Sequence, residues 1–125
     1  ADNNGGGLYI TGSSTVMLTS CTISKNEANG GDGGGLYIDY GDVTMTSCVV
    51  LKNTASDGGG LYIGLGDVTF TDGTLIDNTA TSKPTDVSPL DPGLGGGAVN
   101  NIGLGTFNAY GTTVMNNNHQ GGEEW

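Results

Sequence analysis

Apolar and polar residues alternate in short bursts along this chain, as in Val43-Thr44-Met45-Thr46 and Val68-Thr69-Phe70-Thr71. A period of two marks a strand with one buried face. No segment carries the period of an amphipathic helix, so the pattern predicts an all-β protein. The bursts also recur. Gly5-Gly6-Gly7-Leu8-Tyr9-Ile10 returns unchanged from Gly33 to Ile38 and from Gly58 to Ile63, then degraded as Gly95-Gly96-Gly97-Ala98-Val99-Asn100. Self-similarity at roughly 25 residues, with apolar columns in register, predicts a solenoid in which each repeat is one coil.

Aligning the repeats on the glycine phrase yields the columns. Leu8, Leu36, Leu61 and Ala98 form one, and Ile10, Ile38, Ile63 and Asn100 another. Further on stand Val16, Val43, Val68 and Gly105, then Leu18, Met45, Phe70 and Phe107, then Ile23, Val50, Leu75 and Val114. Each coil is therefore expected to hold three short strands, stacked in parallel on their equivalents ~4.8 Å away. Four coils result, at about 5–32, 33–57, 58–94 and 95–122, in a single domain spanning 1–125. The third coil carries an insertion at 81–94 containing Pro84, Pro89 and Pro92, the kind of protrusion that solenoids place at one turn.

Three residues after the last apolar column comes an asparagine in every repeat: Asn26, Asn53, Asn78 and Asn117. Stacked asparagines can hydrogen-bond along the stack and satisfy the backbone of a turn, so a structural ladder is expected there.

The repeat resembles that of the polymorphic outer-membrane proteins of the autotransporter type. Gly34-Gly35-Leu36 and its equivalents stand at one element of that repeat. Ile23 to Asn26, Val50 to Asn53 and Leu75 to Asn78 stand at the other, with Ile, Val or Leu in place of Phe. The resemblance implies a right-handed parallel β-helix and roles in surface display, adhesion or passenger scaffolding. It implies no catalytic residues.

Charge narrows the partners. The formal net charge is −10, with thirteen acids against three lysines and no arginine. Nucleic acid and anionic membranes are excluded as partners by this reading, because neutralising phosphates needs clustered cations. No apolar run approaches the ~18 residues of a membrane span. Acidic, Gly-, Thr- and Asn-rich composition points to an extracellular or cell-surface setting.

Several columns carry candidate chemistry. Cys21 stands over Cys48, at a rung spacing that fits either a disulfide or a ladder of free thiols. Asp42 stacks with Asp67, and Asp32 and Asp57 precede the glycine phrase. Oxygen clusters suit Ca²⁺, though solvated turn acids are the simpler account and no other cofactor is indicated. Outward Thr44, Thr46, Thr69 and Thr71 form an array resembling the ice-binding face of some insect β-solenoids, although Thr is also simply a good strand residue. Outward Tyr9, Tyr37 and Tyr62 form a second ladder, suited to glycans or to plain cross-rung stacking. Outward strand positions lack the paired acids and basic residue of a carbohydrate-cleaving β-helix, so no enzyme is expected.

The ends of such a stack are open edges that invite pairing. The expectation is therefore a non-enzymatic extracellular structural protein whose copies stack head to tail into a filament. Its interface would bring Leu8, Tyr9 and Ile10 against Val114, Asn117, Gly121, Gly122 and Trp125 of the next copy. The alternatives are a segment of a cell-surface adhesin and an ice-binding protein.

Overall fold

The computed structural model describes residues 4–81, 95–101 and 105–119. The first coil carries β1 (Leu8–Ile10), β2 (Thr15–Thr19), β3 (Thr22–Ser24) and β4 (Glu27–Ala28). The second carries β5 (Leu36–Ile38), β6 (Asp42–Thr46), β7 (Val49–Leu51) and β8 (Thr54–Ala55). The third repeats them as β9 (Leu61–Ile63), β10 (Asp67–Thr71), β11 (Thr74–Ile76) and β12 (Thr79–Ala80). The fourth opens with a single helical turn, α1 (Gly95–Ala98), followed by β13 (Val99–Asn101), β14 (Thr106–Tyr110), β15 (Thr113–Met115) and β16 (Asn118–His119).

Equivalent strands pair only in parallel and only with neighbouring coils, giving four sheets of four strands. This is a parallel β-solenoid, as the repeat predicts. The three expected strands per coil are joined by a fourth of two residues, just after the asparagine column. Two residues are too few to show alternation, so the pattern alone did not reveal it.

The core runs up the middle. Leu36, Ile38, Met45, Val50, Leu61, Ile63, Val68, Phe70 and Leu75 are fully buried. A one-residue slip would turn all of them outward, so the buried face fixes the register. Two corners per coil use left-handed backbone on ordinary residues: Ser20, Ser47 and Asp72 at one, Lys25, Lys52, Asp77 and Asn116 at the other. The bend keeps the corner amides in the ladder, as Ser47 N–H donates to Thr71 O at 2.9 Å and Lys52 N–H to Ile76 O at 3.1 Å.

The glycine phrase follows from the same stacking. Gly33 and Gly58 have φ of 70° and 61°, a conformation that glycine adopts without steric cost. A Cβ on Gly35 would lie 2.6 Å from the carbonyl oxygen of Gly60 on the next coil. The backbones touch there, and no side chain fits.

The fourth coil departs from the expected alignment. Val99, not Ala98, pairs with Leu61, and Asn101, not Asn100, pairs with Ile63. Phe107 pairs with Val68 and Ala109 with Phe70, where Gly105 and Phe107 were expected. Holding the glycine phrase fixed misplaced these residues. The observed register brings Val99 and Phe107 to core columns instead of Ala98 and Gly105, which buries more apolar surface. Gly105 stands instead against Gly66 in the preceding turn. Most of the insertion expected at 81–94 lies outside the described residues, as do Gly121, Gly122 and Trp125.

Replacing Phe70 by Ala empties the widest part of the core. The expected loss is about 3–5 kcal/mol, read as a lower urea midpoint in equilibrium unfolding.

Candidate functional site

The asparagine column is a continuous, directional hydrogen-bond ladder. Asn26 donates both its backbone N–H and its Nδ2 to Asn53 Oδ1, each at 3.0 Å. Asn53 does the same to Asn78 Oδ1 at 3.0 Å, and Asn78 to Asn117 Oδ1 at 2.9 Å. The second Nδ2 proton points back: Asn53 to Ile23 O at 2.9 Å, Asn78 to Val50 O and Asn117 to Leu75 O at 3.0 Å. The whole side-chain amide and the backbone N–H of both Asn53 and Asn78 are thereby used, which is what allows an amide in the core.

A directional ladder has unlike ends. Among the described residues, Asn26 stands at one end with its Oδ1 as the outward group, and Asn117 at the other with its N–H. Some of the apolar columns are less well covered at the same places. Leu8, Val16, Leu18 and Cys21 in the first coil are only partly buried, as are Phe107 and Val114 in the fourth. Of the expected interface residues, Leu8, Ile10, Val114 and Asn117 thus belong to the end coils' inward columns. Tyr9 points outward, 53% exposed.

No disulfide joins the two cysteines. Both are free thiols, each aimed at backbone oxygen instead of the other sulfur. Cys21 Sγ donates to Thr19 O at 3.4 Å, and Cys48 Sγ to Leu18 O at 3.3 Å and Thr46 O at 3.4 Å. In the fourth coil the hydroxyl of Thr112 makes the equivalent bonds, to Phe70 O at 2.9 Å and Tyr110 O at 3.3 Å. The column selects a small residue near a corner: Cys and Thr add a donor, while Gly73 in the third coil has no side chain, and a Cβ there would lie 2.7 Å from the Phe70 ring.

Asp42 and Asp67, the calcium candidates, turn their carboxylates to the amides of the following coil. Asp42 Oδ1 accepts from the Asp67 N–H at 3.4 Å, and Asp67 Oδ1 from the Thr106 N–H at 3.2 Å and its hydroxyl at 2.7 Å. Among the described residues no three His, Cys, Asp or Glu side chains converge on a point.

The tyrosines stack. Tyr9 and Tyr37 ring centroids lie 5.1 Å apart at 6°, and Tyr37 and Tyr62 lie 4.9 Å apart at 7°. Their facing surfaces are spent on one another, which leaves the ring edges and the outer face of Tyr9 exposed. Asp32, Asp39 and Asp57 lie within electrostatic range, a neighbourhood that spacing along the chain did not reveal. Burial first, and then Asp32, Tyr37, Asp57 and Asp39, push the Tyr62 phenol up to about 12. Burial and then the charge of Asp57 push the Asp32 carboxyl up, partly offset by a backbone hydrogen bond from Asp57.

The threonine array is short. Thr44 and Thr46 pair with Thr69 and Thr71, but the flanking rungs present Met17 with Thr19 and Asn108 with Tyr110. Only two adjacent rungs carry the full Thr-x-Thr motif.

Asn53→Ala leaves the Asn26 N–H without an acceptor and Ile23 O without its amide donor, each at about 1–3 kcal/mol. Asn26→Ala leaves no comparable amide behind and is expected to cost less, which urea midpoints of the two variants compare. For Asp32, the folded carboxyl holds its proton more tightly than the unfolded one. Its contribution therefore favours the fold at low pH and is lost as pH rises through the folded pKa. Asp32→Asn, which keeps an acceptor and removes the charge, should raise the Tm at pH 7. That gain should vanish below the ordinary carboxylate range, as followed by circular dichroism melts at both pH values.

Residues 1–119 match the profile of a family described as a right-handed β-helix region. No curated protein and no solved structure matches the chain. With four parallel sheets wound coil on coil and a match over nearly its whole length, this chain belongs to the right-handed β-helix family.

Proposed function

We propose that this chain is a non-catalytic extracellular structural protein whose coils propagate from copy to copy, the fourth coil of one docking on the first coil of the next. The observation that carries this reading is the polarity of the asparagine ladder. At such a junction Asn117 N–H and Nδ2 donate to Asn26 Oδ1 of the next copy, and that Asn26 donates its second Nδ2 proton to Val114 O. These are the bonds that every internal rung already makes. The thiol of Cys21 likewise gains Ala109 O as a second acceptor, by analogy with Cys48 on Leu18 O.

The apolar columns agree. Phe107 and Val114 at one end, both partly exposed, face Val16 and Ile23 at the other, each continuing its column. Because the two faces differ, the contact is heterologous and does not close on itself, so it extends into a filament. Joining the edges also removes open strands, which invite irregular pairing. The repeat's likeness to autotransporter-type polymorphic outer-membrane proteins supports a surface or extracellular setting. The stacked tyrosines and the two-rung threonine array lend less support to glycan or ice binding.

Negative-stain micrographs of concentrated protein should show unbranched fibres with an axial repeat near ~19 Å, four rungs of ~4.8 Å. Leu18→Lys places a charge in an end column, where it reaches solvent in the single copy but is buried in the stack. This variant should keep its β-type circular dichroism and sediment as single copies. Wild-type protein that stays a discrete single copy at high concentration sinks the proposal. So does a reading frame in which further coils of the same polypeptide already occupy both faces.

A further inference from the structure

Tyr9, Tyr37 and Tyr62 form a row of oxidisable side chains that the end-to-end junction does not use. They pair in register on the outer face of the first sheet, with ring centroids 5.1 and 4.9 Å apart and planes within 7° of parallel. The rung spacing imposes this arrangement. Free aromatic pairs prefer offset or edge-to-face contacts. Parallel rings in register bring the carbons ortho to one hydroxyl near those of the next ring. Tyr40 lies in the turn after β5, and Tyr110 on β14 in another sheet, so neither belongs to the row.

We propose that this row is a site of oxidative coupling, at which a one-electron oxidant joins neighbouring rungs through a carbon–carbon bond between two phenol rings. Each phenol gives up one electron to the oxidant and one proton, leaving a phenoxyl radical. Two radicals join at ortho carbons, and the hydrogens on those carbons move to the oxygens as the rings regain aromaticity. The net change is two phenols to one biphenol, with two electrons taken by two equivalents of oxidant and two protons released. The negative charges of Asp32, Asp39 and Asp57 act on the phenols.

Within the row, Tyr9 and Tyr37 are the preferred pair. Coupling requires a stacked ring to tilt until it meets its neighbour edge to edge, and Tyr9, 53% exposed, has room to do so. The product ties the first coil, whose Leu8, Val16 and Leu18 are only partly covered, to the fully packed second coil. It is a covalent staple at a rung only partly protected by packing.

The test uses dilute wild-type chain, illuminated with a ruthenium tris-bipyridyl sensitiser and persulfate as the one-electron oxidant. Dityrosine fluorescence should appear in the single-chain band, and peptide mass mapping should show Tyr9 joined to Tyr37, with less Tyr37–Tyr62. Tyr37→Phe leaves Tyr9 and Tyr62 two rungs apart, ~10 Å, and should lose the intrachain product. If that variant does not fold, the double variant Tyr9→Phe/Tyr62→Phe isolates Tyr37 and must show the same loss. Links mapping to Tyr40 or Tyr110, an undiminished yield without the Tyr37 phenol, or no intrachain link in the wild type would each overturn the proposal.

Discussion

Stacking at the rung spacing, with each residue directly above its counterpart, is the constraint from which the rest of this molecule follows. A ladder of parallel backbone bonds holds neighbouring coils ~4.8 Å apart, so each column tests what a side chain does beside a similar neighbour. Asparagine passes, because an amide donates and accepts in the same direction along the stack. Apolar residues pass by filling the interior. Tyrosines pass by stacking their rings. Carboxylates pass only where they find a backbone amide, as Asp67 does at Thr106. Asp32 shows the cost of partial burial first and of the neighbouring Asp57 charge second, only partly offset by a backbone hydrogen bond from Asp57.

The same constraint distinguishes the middle from the ends. In the second and third coils the inward residues have almost no contact with solvent, while Leu8, Val16, Leu18, Phe107 and Val114 in the first and fourth are partly exposed. Nothing in their chemistry differs much: Leu8 and Leu36 are the same residue in the same column. The difference is that Leu36 is packed between Leu8 and Leu61, one on each side. The proposed assembly would pack the end coils with the groups already used at each internal rung, and the tyrosine row adds a means of securing the first coil.

Much of this was legible in the chain itself. The alternation located three strands per coil, and the repeat gave their order and parallel pairing. The asparagine column was identified with its role, since a polar residue recurring beside apolar columns has few other uses in a solenoid. The fourth coil was less legible. Its glycine phrase suggested one register, but strands are placed by what they bury, and Val99 and Phe107 outweigh Ala98 and Gly105. The cysteine column read equally well as a disulfide or as thiols, because spacing along a repeat fixes the height of a residue and not the direction of its sulfur. Backbone carbonyls at the corner supplied the direction.

What the sequence determined by itself is periodic: one coil every 25 residues or so, an inward and an outward set, and one polar column. Periodicity is encoded locally and repeated, so it survives without knowledge of distant contacts. Only the tertiary structure decided which atoms of a column meet. The polarity of the amide ladder, the aspartates around the tyrosines and the shift of the last coil depend on side-chain direction and on packing between coils. Those are set across the stack, between residues some 25 to 40 positions apart, where the local pattern carries no information.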